Sequence, residues 1–473
     1  MKLSLIPAPC EIEYLQGFTK CDAPVVRVTD SSLPREGFEI CIDGEIRISA
    51  SSEAGYFYGE NLVEQIKFQC GQNIPNVNIK DMPKYSYRSF MIDSCRHFVS
   101  VENIKRMIDH CAKFRFNVFH WHLTDDQGWR AEIRKYPELI EIGSIRYANN
   151  FGEEQNNDIH EGYYTQAQMR EIVEYAHKNH MTVVPEIDMP GHVSALLASI
   201  PSLVCGDKKV EIKTSGGIFK DILCAGKDET YDILYDIFDE ICAVFTDEYI
   251  HIGGDEAPKI QWKTCPDCQQ KIKDEKLKSE EMLQGYFINR VKNYLSQKGK
   301  KVITWNESLK SGILDTDITV QMWMDKKGDC KKSDNPIIVS DFFHYYVDYP
   351  YTMTPLKKVY DYKTDINSNV IGVGTPIWTE YVPDIEYMEY MCFPRFIAVA
   401  ESAWSLNKPA YAQFRTELAE LMGYYNIENA AKPEEWDPPV KSRLSGVVNH
   451  FGSIAPNEKV RNYFIKKNNK RKK

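Results

Sequence analysis

Residues 251–259 read HIGGDEAPK, and within them two carboxylic acids, Asp255 and Glu256, stand side by side behind two glycines. Carboxylates in pairs do acid–base work on sugars, usually facing each other about 5–9 Å apart across the bond to be cut. Neighbours on an extended chain point to opposite sides. Only one of this pair can then reach a leaving oxygen, so the other must serve a different part of the substrate. Similar clusters recur along the chain: DSCRH (93–97), HWHLTDD (120–126), PEIDMPGH (185–192), WNE (305–307), Trp323, and WTE (378–380). Each closes a β-branched or aromatic run.

Eight such runs follow Tyr85: Ser89–Asp93, Asn117–Leu123, Thr182–Ile187, Glu248–Gly253, Lys301–Trp305, Thr319–Trp323, Ile337–Ser340 and Val370–Trp378. Amphipathic stretches lie between them. Ile104, Met107, Ile108 and Cys111 share one helical face, as do Met169, Ile172, Val173 and Ala176, the latter behind a capping box at Thr165–Gln168. Apolar strands alternating with helices predict a (β/α)₈ TIM barrel, α/β in class, with its strands buried on both faces. The fifth, sixth and seventh strands begin at residues 301, 319 and 337, barely leaving the about 10–12 residues a crossover needs, so one barrel helix there is expected to be short or missing. Residues 1–83 read as a small α+β domain, 84–410 as the barrel, and 411–473 as a helical extension ending in a disordered basic tail, KKNNKRKK.

Polar residues at the C-terminal ends of barrel strands are the ones expected to do chemistry. Carboxylates, an arginine, histidines and three tryptophans at one rim suit a sugar: aromatic faces stack on the ring while charged groups take its hydroxyls. Burying so many charges without a function would be costly. If the sugar carries a 2-acetamido group, its own carbonyl oxygen can attack the anomeric carbon, and the protein then needs no carboxylate nucleophile. One carboxylate then orients the amide, and the other passes a proton to the departing oxygen.

The net charge of −10 argues against nucleic acid as a partner, and no apolar stretch approaches the about 20 residues of a membrane span. MKLSLIPAPCEIEY has too short an apolar run for a signal peptide, which favours the cytoplasm. The thirteen cysteines are scattered rather than regularly paired. In Cys265-Pro266-Asp267-Cys268 a zinc pair, a local disulfide and two unbridged thiols all stay open; the thiols are favoured, because zinc normally needs four ligands and no second CxxC lies nearby. No metal and no cofactor are expected.

Taken together, DSCRHF, FHWHLTDDQGWR, PEIDMPGH, HIGGDE, TWNE, YYVD, IWTEY and AESAW resemble, over about residues 84–405, the family 20 glycoside hydrolases, the β-N-acetylhexosaminidases. The resemblance implies an exo-acting retaining hydrolase that removes terminal GlcNAc or GalNAc through an oxazolinium intermediate. It implies Glu256 as general acid and then base, Asp255 on the acetamido nitrogen and Tyr346 on the acetamido oxygen. Trp305 and Trp323 would wall the acetamido pocket, and Trp378 would lie under the ring. Arg96, Asp348 and Glu380 would grip the ring hydroxyls, and Asp125 and His192 would form a relay behind Glu256 that helps it keep its proton. The partner so implied is a glycan or glycoconjugate with a terminal β-linked N-acetylhexosamine; a homodimer stays open. A catalytically silent carbohydrate-binding protein, or a member specialised for a disaccharide or a 6-sulfated or 6-phosphorylated sugar, are the alternatives.

Overall fold

In the computed structural model, which describes residues 2–152, 154–453 and 463, eight parallel strands close into a barrel. In chain order they are Tyr87–Asp93, Val118–Asp125, Thr182–Ile187, Tyr249–His251, Lys301–Trp305, Thr319–Met322, Ile337–Val339 and Val370–Ile377. Each pairs in parallel with the next, and the eighth returns to the first with Ile377 beside Ile92. The side-chain alternation expected of a strand is clear in the second. Phe119, Trp121 and Leu123 join the main core between barrel and helices, whereas His120 and His122 reach the carboxylate of Glu186 on the third strand. The inner face of the barrel is therefore polar at its upper end.

The helix Val101–Lys113 buries Ile104, Met107, Ile108 and Cys111 as their spacing predicts. The helix Gln166–Lys178 starts at the Thr165–Gln168 capping box, with Met169, Ile172, Val173 and Ala176 inside. The short crossovers also come out as expected. A 3₁₀ helix, Asn306–Ser311, joins the fifth and sixth strands, and the four-residue helix Asp329–Lys332 joins the sixth and seventh.

Before the barrel, strands Glu11–Lys20, Val25–Thr29, Phe38–Ile42, Ile46–Ala50 and Asn73–Asp81 form one sheet, packed on the helix Glu53–Cys70 around its own apolar core. Trp404, at the end of the barrel's last helix, completes that core. Its indole donates to Asp81 at 3.0 Å, and Arg115 meets the other oxygen of Asp81 at 2.6 Å. After the barrel, the helix Tyr411–Tyr425 places the Tyr425 hydroxyl on the carbonyl of Ile6, and the helix Val440–Ser453 follows. The basic tail lies outside the described residues. Among those described, no helix is long and apolar enough to cross a membrane.

Candidate active site

The adjacent acids lie just beyond the fourth strand, which ends at His251. Between strand and acids the chain turns through Gly253 and Gly254, both at positive φ (66° and 103°). Neither position has room for a side chain. A Cβ on Gly253 would fall 1.6 Å from Asp188 Oδ1, and one on Gly254 would fall 2.4 Å from the hydroxyls of Ser308 and Thr304. Glu256 itself takes φ 45°, left-handed backbone that a non-glycine residue adopts only when its surroundings hold it there. Its amide supplies part of that hold by donating to Glu307 Oε2 at 2.7 Å. The turn cancels the alternation of an extended chain. Both acids approach the same imidazole nitrogen, His192 Nε2, with Asp255 Oδ2 at 3.7 Å and Glu256 Oε2 at 3.5 Å.

Behind His192 a chain of charges runs into the barrel. His192 Nδ1 lies 3.2 Å from Asp125 Oδ1 and 3.3 Å from Asp126 Oδ2. The second oxygen of Asp125 meets His122 Nε2 at 2.9 Å, and His122 Nδ1 meets Glu186 at 2.7 Å. Glu186 also receives His120 at 2.8 Å and the Trp305 indole at 2.7 Å. Burial disfavours charge on each ring, but the flanking carboxylates outweigh it for His122 and His192, whose pKa values are raised well above the ordinary imidazole. His120 faces the single carboxylate of Glu186, and burial prevails there, lowering it to about 4. Asp255 is pushed the other way. Burial comes first, opposed by His192 and reinforced by Glu256, Glu186 and Glu307, so that its carboxyl rises to about 7.

The remaining residues singled out in the sequence gather around this pair. Trp305, Tyr346 and Trp378 form one apolar cluster with Met91, and Trp323 packs against it. Ring centres are 6.1 Å apart for Trp305 and Trp378, and 6.4 Å apart for Trp323 and Tyr346. Arg96 lies over Trp378 at 5.0 Å, with its guanidinium 2.7 Å from Asp125, 3.2 Å from Asp93 and 3.8 Å from Glu380. Burial, then the charge of Glu380, raises the Asp348 carboxyl well above its usual range. Several buried polar atoms in this region, among them Asp255 Oδ1, Asp348 Oδ1, Trp323 Nε1 and Trp378 Nε1, have no hydrogen-bond partner among the described residues. An atom so placed is costly unless something else binds it.

Several positioning residues escape the sequence reading. Glu186 and His122 sit inside quoted motifs, and the alternation along the second strand was the available signal for His122. Asn306 accepts from the Trp323 amide at 3.0 Å and donates to the Met324 carbonyl at 3.1 Å, which sets the second tryptophan of the wall. Arg395, buried below the loop that bears Tyr346 and Asp348, donates to the carbonyls of Val347 and Tyr349 at 2.6 Å each. Nothing in its local sequence marks Arg395.

Comparison with known proteins places this geometry in a family. Residues 85–407 match the model of the glycosyl hydrolase family 20 catalytic domain. The chain is a family 20 glycoside hydrolase. It is 38% identical over 423 residues to a beta-hexosaminidase of Porphyromonas gingivalis, an alignment covering 82% of this chain and 54% of that protein. With a beta-hexosaminidase of Akkermansia muciniphila the identity is 30%, covering 88% of this chain and 89% of the relative. The family member thus spans about half the length of the first relative and most of the second. Among solved structures, a beta-N-acetylhexosaminidase from Bacteroides fragilis superposes with a TM-score of 0.80 at 29% identity, over 93% of this chain and 98% of that one.

Proposed function

We propose that this family 20 hydrolase is an exo-acting β-N-acetylhexosaminidase, which releases terminal GlcNAc or GalNAc from glycans by substrate-assisted, retaining catalysis. The single observation that carries the reading is the convergence of Asp255 and Glu256 on His192, beside Tyr346 and between three tryptophans. Asp255 accepts the acetamido N–H with its free oxygen, and the Tyr346 hydroxyl donates to the acetamido carbonyl oxygen. That oxygen attacks the anomeric carbon as the glycosidic C–O bond breaks, and Glu256 delivers its proton to the leaving oxygen. The oxazolinium so formed carries its positive charge beside Asp255, where a carboxylate binds it more tightly than it binds the neutral amide, so the contact lowers the barrier rather than only KM. Glu256, now a carboxylate, takes a proton from water as the water opens the ring at the anomeric carbon.

His192 has a defined part in this cycle. Held protonated by Asp125 and Asp126, it lends positive charge to both acids and steadies the Glu256 carboxylate between the two half-reactions. Trp305 and Trp323 enclose the acetamido methyl, and Trp378 lies under the ring. Arg96, Glu380 and Asp348 take the hydroxyls, Asp348 through its unpartnered oxygen. Binding of sugar without turnover would need neither an acid nor an amide clamp.

The test is release of 4-nitrophenol from its β-N-acetylglucosaminide, with the β-glucoside of the same phenol as comparison. Release only from the acetamido sugar, lost in Glu256→Gln, is the expected result. Equal cleavage of the glucoside would exclude the participating amide, and no cleavage of any β-N-acetylhexosaminide would leave a binding protein.

A further inference from the structure

Four cysteines, Cys205, Cys224, Cys265 and Cys268, come together in the interior with their sulfurs all within 4.8 Å of one another. They arrive on separate segments. Cys205 follows the 3₁₀ turn Pro201–Leu203, Cys224 closes the same excursion after the third barrel strand, and Cys265 and Cys268 flank the start of the helix Pro266–Asp274 beyond the acids. The sulfurs stand 3.8 Å apart for Cys205–Cys268, 3.7 Å for Cys224–Cys265 and 3.7 Å for Cys224–Cys268. A disulfide would bring a pair to about 2.05 Å, and all four thiols are free. Zinc–sulfur bonds of about 2.3 Å at tetrahedral angles put the sulfurs about 3.8 Å apart.

The backbone around the sulfurs is built for close approach. At Gly226 a Cβ would fall 2.1 Å from the carbonyl carbon of Asp267 and 2.3 Å from the amide nitrogen of Cys268, so the two sulfur-bearing segments touch main chain to main chain. Cys224 N donates to Leu203 O at 2.9 Å, and the Trp262 indole donates to Leu223 O at 2.8 Å. The amino end of the helix Pro266–Asp274 lies at the cluster and favours negative charge there. Lys227 reaches the carbonyls of Ser202 and Val204 at 2.8 and 3.0 Å, placing a cation beside the Cys205 segment.

We propose that Cys205, Cys224, Cys265 and Cys268 bind one zinc ion as a closed tetrathiolate, which staples the excursion spanning residues 200–226 to the segment that follows Asp255 and Glu256. Four thiols yield four protons as the ion binds, leaving a site of net charge −2. With every position filled by sulfur the ion has no place for water or substrate, so its part is structural. What it would hold is the back of the active site. Leu223 N donates to Pro190 O at 3.0 Å, two residues from His192, and Lys213 N donates to Asp126 O at 3.0 Å. Gly191 sits with its Cβ position 3.2 Å from the backbone of Ala257.

Elemental analysis of the whole enzyme, purified without a histidine tag and dialysed against a mild chelator, should find about one zinc per chain. Cys205→Ser and Cys268→Ser should each lose it, and Cys242→Ser should keep it. If the serine variants fail to fold, enzyme produced with cobalt decides, since four thiolates on tetrahedral Co²⁺ give intense sulfur-to-metal absorption in the near ultraviolet together with visible d–d bands. Absence of metal after production in zinc-supplemented medium, iron in its place, or a mass loss that reports a disulfide within these four residues would each overturn the proposal. None of these readouts depends on sugar hydrolysis, so they stand apart from the assigned activity.

Discussion

Two clusters of buried charge sit at opposite purposes in this molecule. Where the small domain meets the barrel, arginines answer carboxylates: Arg115 with Asp81, and Arg88 with Glu36 through 2.8 and 3.0 Å contacts. At the barrel rim, by contrast, Asp255 and Asp348 each keep an oxygen without a partner among the described residues, and burial and neighbouring acids raise the Asp255 carboxyl to about 7. The first cluster spends its polarity on cohesion, and the second keeps its polarity for a ligand. Strained backbone at Glu256 and crowded carboxylates are tolerable there because the rest of the fold supports them.

The contrast can be broken from either side. Glu256→Gln should lower kcat by about 10²–10⁴-fold, the range of a lost general acid, while thermal unfolding stays close to that of the parent. Arg115→Met should do the reverse: it removes the counter-charge of buried Asp81, costs about 3–5 kcal/mol in a denaturant titration, and leaves turnover per folded molecule unchanged. Tyr346→Phe should cost about 10²–10³-fold in kcat, and a loss confined to KM would show that its contact is made equally in the ground state.

Asp255→Asn sharpens the comparison through pH. With its carboxyl raised to about 7 in the folded chain from an ordinary value of 3.8, Asp255 favours the native state only while protonated, and that contribution is lost as pH rises through about 7. The amide variant should therefore melt higher than the parent at pH 8, with the advantage vanishing as pH falls towards 3.8. In activity the sign is opposite. As pH falls below about 7 the free enzyme loses the carboxylate that accepts the amide, so kcat/KM should decline on the acid side, and the inflection should disappear in Asp255→Asn. The smallest effect belongs to neither cluster: Arg27→Ala, which removes exposed pairs with Glu53 and Glu60, should change stability by about 1 kcal/mol or less.

Much of this was legible in the residues. The third and fifth barrel strands, Thr182–Ile187 and Lys301–Trp305, stop where their apolar runs meet a polar residue, Asp188 and Asn306. The shortened crossovers followed from spacing alone. What eluded the sequence are relations across the barrel. The surroundings of His192 are one: Asp125, which ends the second strand, and Asp126 just beyond it face the ring and, against burial, raise its pKa well above the ordinary imidazole. The AESAW motif is another. Its Glu401 accepts from the amide of Ala8 and its Trp404 donates to Asp81 at the end of the small domain's last strand. No second pair lies near the CPDC stretch in the sequence; the cysteines that meet it stand 63 residues before Cys268 and 41 before Cys265, on an excursion that only the folded chain brings back. Arg395 holds main-chain carbonyls, and contacts of that kind leave no pattern in a sequence.

From Glu186 through His122, Asp125 and His192 to the two acids, carboxyl groups and imidazole rings follow one another at 2.7 to 3.7 Å. Groups wired so closely exchange protons as a collective, and a spectroscopic titration of any one nucleus will trace the populations of the whole string. The enzyme's ionisation behaviour thus belongs to a wire threaded through the barrel, and replacing a distant member such as Glu186 should redraw the curve recorded at the rim.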